Sequence, residues 1–257
     1  MKAIIVGGGL GSRLLPKTKN LPKTLLPVAG KSILNWEVQA LSQAGITKII
    51  FVCGYKSQKI KTLFSKLKYY DDFDYQKRPS ILHGLMCAEK AMRGGFIFSY
   101  SDIIYTKRVV QKLLKTRGNF NLVVDIDWRK GYLGRLKHPI SEAELVKTSK
   151  GKVIKIGKDV VSPREAHGEF IGLAKFSAQG VKILKQEYQR LIYKYRKRKD
   201  RTFQHARDFK KAYLTDMIQE LIDRGYQVQS LDIKGGWSEI DTDEDLKRAN
   251  IIWGKKA

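Results

Sequence analysis

Four short β-rich apolar runs, 3–6 (AIIV), 48–53 (KIIFVC), 96–100 (FIFSY) and 121–126 (NLVVDI), alternate with segments of helical periodicity. That alternation constrains the fold more than any other feature of the chain. Between the first two runs, Ile33, Trp36, Ala40, Leu41 and Ala44 fall on one helical face that Ser32 can cap. Segments 56–67, 81–93 and 106–116 read as further helices, bounded by Gly54, Pro79, Gly94-Gly95 and Gly118. Strand, helix, strand at this spacing predicts an α/β chain with a doubly wound, mostly parallel (mixed) sheet and ligands at the carboxyl ends of its strands. In the second half, 152–156 and 169–176 read as strands, 178–199 as a long helix and 228–233 as a last strand. Leu214, Met217, Ile218, Leu221 and Ile222 mark an amphipathic helix ending near Gly225, and a capping box of Thr242 and Asp245 opens a last helix over 242–253. There is no internal repeat and no low-complexity linker, so a single domain over 1–257 is expected.

Composition narrows the class. Hydrophobic residues are 42% of the 257 and the mean hydropathy is −0.36, which excludes a largely disordered chain. No run approaches the ~18 apolar residues of a membrane-spanning helix. The N-terminal apolar run ends in glycines rather than a cleavage site, so a cytoplasmic protein is expected. Cys53 and Cys87 are too few for a disulfide framework or a zinc site and read as small buried hydrophobes. The charge stands out: 50 Lys+Arg against 25 Asp+Glu give +25, a surplus that attracts polyanions of any kind. Its densest stretch, 194–211 (KYRKRKDRTFQHARDFKK), interleaves Tyr195, Phe203 and Phe209 with the cations. It reads as a solvated face or as a polyanion or membrane-surface contact.

The first strand runs directly into GGGLGSRLLPKTKNLPKTLLPVAGKS. The dinucleotide fingerprint fails at Leu14 and the P-loop at Leu25. Glycines after a strand still suit an anion, because backbone N–H groups approach phosphate oxygens with no Cβ in the way. Arg13, Lys17, Lys19, Lys23 and Lys31 follow, and Pro16, Pro22 and Pro27 keep the segment from becoming a helix. Gly9-Leu10-Gly11-Ser12-Arg13, Pro16-Lys17-Thr18, Pro22 to Val28 and Gly30-Lys31 together resemble the signature of the sugar-phosphate nucleotidylyltransferases, with Gly7-Gly8 where Ala-Ala is usual. SDIIY at 101–105, VIKIGKD at 153–159 and WSEIDTDEDL at 237–246 extend the resemblance along nearly the whole chain. The last of these, with EFIGL at 169–173 and 213–225, looks most like the cytidylyltransferases acting on phosphocholine or aminoethylphosphonate-type acceptors.

The resemblance implies a Rossmann-like nucleotidyltransferase fold, its nucleotide-binding part over about 1–120 and its acceptor-binding part over about 121–257. It implies transfer of CMP from CTP to a small phosphate or phosphonate with release of pyrophosphate, no enzyme nucleophile, and Mg2+ held by Asp102 and Asp241. Asp241 also reads as a helix N-terminal charge beside Asp243, Glu244 and Asp245. Arg13 and Lys23 are implied as catalytic cations, Gly8, Gly9, Gly11 and Ser12 as the phosphate cradle, and Lys158 as the contact to the acceptor phosphate. The base is expected near 76–84, with Gln76, Ser80 and Gly84 as candidates, although the family's Thr-Asn-Asn-like triplet is missing. For the acceptor's far end, Asp127, Trp128, Glu169 and Trp237, with Asp125 and Tyr132, offer carboxylates and aromatic faces suited to a cation. The two tryptophans read equally as packing residues. His138 and His167 are expected as surface loop residues. A sugar-1-phosphate nucleotidylyltransferase using UTP, dTTP or CTP is the alternative function, and a homodimer is compatible with the sequence.

Overall fold

Period-two alternation along the first strand divides the interior: Ile4 and Val6 enter one apolar cluster, Ala3 and Ile5 another. The computed structural model describes residues 1–77, 80–198 and 200–255. Strand β1 (Lys2–Gly7) precedes a small hairpin, β2 (Pro27–Val28) and β3 (Lys31–Ser32), and helix α1 (Ile33–Gln43). Then come β4 (Ile49–Cys53), α2 (Ser57–Leu63), β5 (Lys68–Asp71), α3 (Ile81–Cys87), β6 (Phe96–Tyr100), β7 (Ile103–Tyr105), α4 (Lys107–Lys115) and β8 (Phe120–Asp125). The remainder is α5 (Arg129–Tyr132), β9 (Leu145–Ser149), β10 (Lys152–Gly157), β11 (Gly168–Phe176), α6 (Ala178–Tyr195), α7 (Leu214–Asp223), β12 (Val228–Ile233), β13 (Trp237–Glu239) and α8 (Asp243–Gly254).

Among the described residues, nine strands form one sheet in the order β5-β4-β1-β6-β11-β8-β12-β10-β9. Strands β5, β4, β1 and β6 run parallel, as do β8 and β12, while β11 lies antiparallel between β6 and β8. One face is covered by α3, α6 and α7 through Leu82, Leu85, Leu184, Leu191, Met217 and Ile218. Helices α1, α2 and α4 cover the other through Leu34, Leu41, Ile60, Val109 and Leu113. Both caps expected from the sequence are present: Ser32 Oγ accepts from Asn35 N, and Thr242 and Asp245 satisfy each other's backbone N–H. Three helices end earlier than their periodicity suggests. In α2 the chain turns at Phe64 so that Phe64 and Leu67 can pack on the core from outside the helix. After α3 a 3-10 turn, Glu89–Ala91, takes over, and α6 stops at Tyr195, where the apolar stripe gives way to successive cations. Among the described residues no helix is long and apolar enough to cross a membrane.

One buried acid sits beneath the sheet's carboxyl ends. Glu37 on α1 is fully buried, with Oε1 2.8 Å from Ser99 Oγ, and Tyr105 donates to the same hydroxyl at 3.2 Å. Burial pushes its carboxyl well above the usual carboxylate range, and the Ser99 contact offsets only part of that. The folded chain therefore holds this proton more tightly than the unfolded chain. The resulting stabilisation is complete below the ordinary Glu pKa of about 4.3 and is lost as pH rises toward the folded value. Glu37→Gln keeps the shape and cannot ionise. Thermal melts should show the variant matching the wild type near pH about 4 and gaining on it steadily toward alkaline pH. Parallel melting curves across that range would show that the buried proton contributes nothing.

Candidate active site

The loop leaving β1 carries the glycines to the carboxyl end of the sheet, and Gly11 is where glycine is required. Its φ is +63°, and an added Cβ would lie 3.1 Å from both Lys23 Cβ and Thr18 Cγ2. Thr18 Oγ1 donates to the Gly11 carbonyl at 2.8 Å and fixes the turn. Gly8, Gly9, Gly11, Ser12, Arg13 and Lys23 line a cavity of about 230 Å³ with Asp102 and Asp241. A second cavity, about 220 Å³, shares Arg13, Asp102 and Asp241 with it and continues past Lys158, Glu142, Tyr213 and Trp237.

Lys23 stands where the two meet. A short 3-10 turn after Pro22 aims its Nζ at Asp102 Oδ2, 2.8 Å away, and at Asp241 Oδ1. Burial alone would lower its pKa, but the two carboxylates outweigh it and hold the ammonium well above its usual range. Burial would raise Asp241, yet Lys23 and Arg13 bring that carboxyl down to about 2. Arg13 Nη2 donates to Asp241 Oδ2 at 2.6 Å, and Lys158 Nζ to Glu142 Oε2 at 2.9 Å. What unites Asp102 and Asp241 is a two-stranded ladder in which β13 pairs antiparallel with β7, Glu239 opposite Ile103, extended by Ile240 N donating to the Asp102 carbonyl. Asp102 Oδ1 is buried and, among the described residues, has no hydrogen-bond partner. An orphaned carboxylate oxygen on a residue that lines one cavity with a second carboxylate is a donor set that fits a hard divalent cation.

The acceptor-side candidates divide. Glu169 is buried, accepts from Tyr132 Oη at 2.6 Å, and is pushed up to about 8 by burial and by the nearby Glu239. Trp237 is half-buried between the second cavity and a third of about 330 Å³; its Nε1 donates to Asp125 Oδ2 at 2.7 Å. Asp125 is thereby occupied in holding Trp237, Gly235 and Asp127 in place. Asp127 lies on the rim of the third cavity, ion-paired to Lys130 at 2.7 Å. Trp128 is 1% exposed and packs edge-on against Tyr132, so it supplies a wall rather than an open face.

Three base-side candidates are not brought into the cleft. Gln76 is exposed on a turn and donates to its neighbour Tyr75 Oη. Ser80 Oγ accepts from His83 N as the cap of α3 and donates to the Ala212 carbonyl at 2.6 Å, which uses its one proton and one of its two lone pairs. Gly84 serves packing, since a Cβ there would come within 2.9 Å of Val6 Cγ1 and lift α3 off β1. Arg78 and Pro79 of that stretch, like Lys199 of the basic stretch, lie outside the described residues. Ile81, next to Ser80, does line both catalytic cavities.

His138 corrects the sequence reading outright. It is 1% exposed, with Nδ1 3.4 Å from Asp245 Oδ2 and 3.8 Å from Asp241 Oδ2, and Nε2 3.4 Å from Glu239 Oε2. Arg135 joins this network through Asp245 at 2.6 Å and Glu239 at 3.3 Å. No spacing in the sequence pairs a histidine in one loop with carboxylates a hundred residues later. His167 is a surface residue as expected, paired with Asp232 at 2.7 Å. Glu142, Glu144 and Tyr213 were also missed, because only the β9–β11 pairing and α7 bring them to the cleft, and so was Tyr100, which ends β6 beside β1.

A family model described as "Nucleotidyl transferase" matches residues 2–91. CTP:phosphoglutamine cytidylyltransferase of Campylobacter jejuni is 33% identical over 96% of this chain and 98% of its own. Among solved structures, the CTP:phosphocholine cytidylyltransferase of Streptococcus pneumoniae superposes with a TM-score of 0.74 at 21% identity, covering 98% of both chains. The inositol-1-phosphate CTP transferase of T. maritima does so with 0.73 at 16% identity, over 99% of this chain and 96% of that one. Full-length similarity, a matching family model and a shared Rossmann-like fold agree: this chain is an enzyme of the nucleotidyl transferase family.

Proposed function

We propose that the protein transfers CMP from CTP to a small phosphorylated or phosphonate acceptor bearing a cationic nitrogen, of the phosphocholine or 2-aminoethylphosphonate type, releasing pyrophosphate. The observation that carries this reading is the convergence of Arg13, Lys23 and Lys158 with Asp102 and Asp241 where a glycine cradle meets a carboxylate- and tryptophan-walled cavity. The similarity to the phosphoglutamine enzyme favours CTP and an amine-bearing acceptor over a sugar 1-phosphate. We assign the nucleotide to the part of the domain over about 1–120 and the acceptor to about 121–257, and we place the enzyme in the cytoplasm.

In this reading the triphosphate lies over Gly8, Gly9, Gly11 and Ser12, whose backbone N–H groups face phosphate oxygens. Lys158 orients the acceptor phosphate. One of its oxygens attacks the α-phosphorus while the α–β bridging bond breaks and pyrophosphate leaves with the electron pair. That oxygen is already anionic, so no general base is needed and catalysis is positioning plus charge neutralisation. Lys23 and Arg13 balance the charge that builds on the triphosphate. Asp102 and Asp241 would hold Mg2+, which when bound offsets the charge of the phosphate oxygens.

Glu169 and Trp237 would receive the acceptor's cation, a carboxylate and an aromatic face together returning part of its lost hydration. A pyrophosphate-release assay crossing four nucleoside triphosphates with phosphocholine, 2-aminoethylphosphonate, phosphoglutamine and glucose 1-phosphate should give product with CTP and an amine-bearing acceptor. Preference for glucose 1-phosphate, with the amines inert, would overturn the assignment. Trp237→Ala should raise the acceptor KM about tenfold, roughly one cation–π contact, and leave the CTP KM nearly unchanged. Burial and the nearby Glu239 push the Glu169 carboxyl up to about 8. The KM for a quaternary ammonium acceptor should therefore fall as pH rises through that value, and Glu169→Gln should flatten the profile.

A further inference from the structure

Among the described residues, none of the basic stretch 194–211 lines a catalytic cavity, and its aromatics pack on one another. Tyr195 and Phe203 are buried, Tyr195 stacks on Phe209 at 5.1 Å, and Phe203 meets Phe209 edge-on at 5.3 Å. This cluster forms one side of a separate cavity of about 380 Å³ that shares no residue with the catalytic ones. Its apolar lining is Leu82, Tyr188, Ile192, Tyr195 and Phe209, and Arg196, Arg201 and Lys210 stand around it. Every cation of the catalytic cleft is tied to a carboxylate. By contrast, among the described residues the side chains of Arg196, Arg201 and Lys210 have no ion-pair or hydrogen-bond partner. The acid in the lining, Asp208, accepts from Lys210 N at 2.8 Å as a helix cap.

A cavity of this size with an apolar floor and converging donors is what a small-molecule site requires. Three unpaired cations beside an aromatic lining select an amphiphile: an apolar or aromatic body below, an anionic group able to accept several charge-assisted hydrogen bonds above. We infer that this cavity is a second ligand site, distinct from the catalytic cleft, for an organic phosphate with an aromatic or aliphatic body. It adjoins the chemistry without belonging to it, because Ser80 in its wall holds the Ala212 carbonyl and the next residue, Tyr213, lines the acceptor cavity.

The probe is 1-naphthyl phosphate, followed by fluorescence anisotropy on the full chain in saturating CTP, which fills the nucleotide half of the catalytic cleft, and on the Lys158→Ala chain, which lacks the phosphate contact of the acceptor half. Expected is saturable binding at least about tenfold tighter than that of inorganic phosphate or of 1-naphthol, since each lacks one half of the recognition. Arg201→Glu with Lys210→Glu should weaken the probe by about tenfold or more while melting temperature and CMP transfer stay at wild-type values. Monomeric dihexanoyl phosphatidate competing with the probe, without retention of the protein on phosphatidylglycerol vesicles, identifies a dissolved amphiphile; retention on the vesicles identifies a lipid headgroup. Binding lost in CTP, binding matched by inorganic phosphate, or equal binding by the double variant would each overturn the site.

Discussion

Lys23→Ala should cut turnover by about 10²-fold or more, with CTP and acceptor saturating. Removing a group that meets the growing charge of a phosphoryl-type transition state typically forfeits a few kcal/mol, and each 1.36 kcal/mol is tenfold. The side chain is only 14% exposed and lies against two carboxylates, so its replacement brings no water-screened substitute within reach. That setting also makes the side chain matter to stability. Deleting one partner of a buried ion cluster leaves Asp102 without its cation and Asp241 with Arg13 alone, which is destabilising. Rates should therefore be measured well below the variant's melting temperature, with circular dichroism confirming the fold. A folded Lys23→Ala enzyme working at a near-wild-type rate would sink the assigned mechanism.

Asp102→Asn should be comparably damaging, about 10²-fold in turnover, for the opposite reason: it removes a negative charge where a hard cation is expected. The substitution is nearly isosteric. Oδ2 is engaged by Lys23, and the partnerless Oδ1 is the atom whose loss matters to the cation. Thermal stability should change little, while the apparent Mg2+ requirement should rise steeply. Chelation of divalent ions should abolish CMP transfer by the wild type, and added Mg2+ should restore it. Full activity in the chelator would remove the metal from this reading, and with it the role given to Asp102.

The strands were legible because their signal is local. Val228–Ile233 and Phe96–Tyr100 occupy the residues read for them from the sequence, the second a mostly apolar run directly after paired glycines. Strand β5 was not legible, since Lys68–Asp71 carries polar residues at both ends on the sheet's outer edge. Nor was the β7–β13 ladder, three residues on each side, although it is what joins the two aspartates. Sequence order brings Lys23, Arg13, Asp102 and Asp241 under suspicion one motif at a time; it says nothing of their being mutually paired. Ser80 carried its own warning. A serine directly before a helical apolar pattern is a cap, and a hydroxyl committed to a backbone N–H has little left for a base. His138 gave no warning, because its partners arrive through the start of α8.

The self-paired cleft constrains how substrates enter. With Lys23 and Arg13 on Asp241, Lys23 also on Asp102, and Lys158 on Glu142, the resting site is close to an internal salt. A triphosphate arriving alone would recruit the cations and strand the aspartates; a divalent ion arriving alone would do the reverse. Each half-exchange leaves buried charge without a counterpart, which costs several kcal/mol. Only a ligand that brings both signs at once, a metal–nucleotide complex, can trade the partners of Lys23, Arg13, Asp102 and Asp241 in a single step, leaving Lys158 and Glu142 to the acceptor. If the cleft binds its substrates as proposed, it therefore favours the metal–nucleotide complex over free metal and free nucleotide alike.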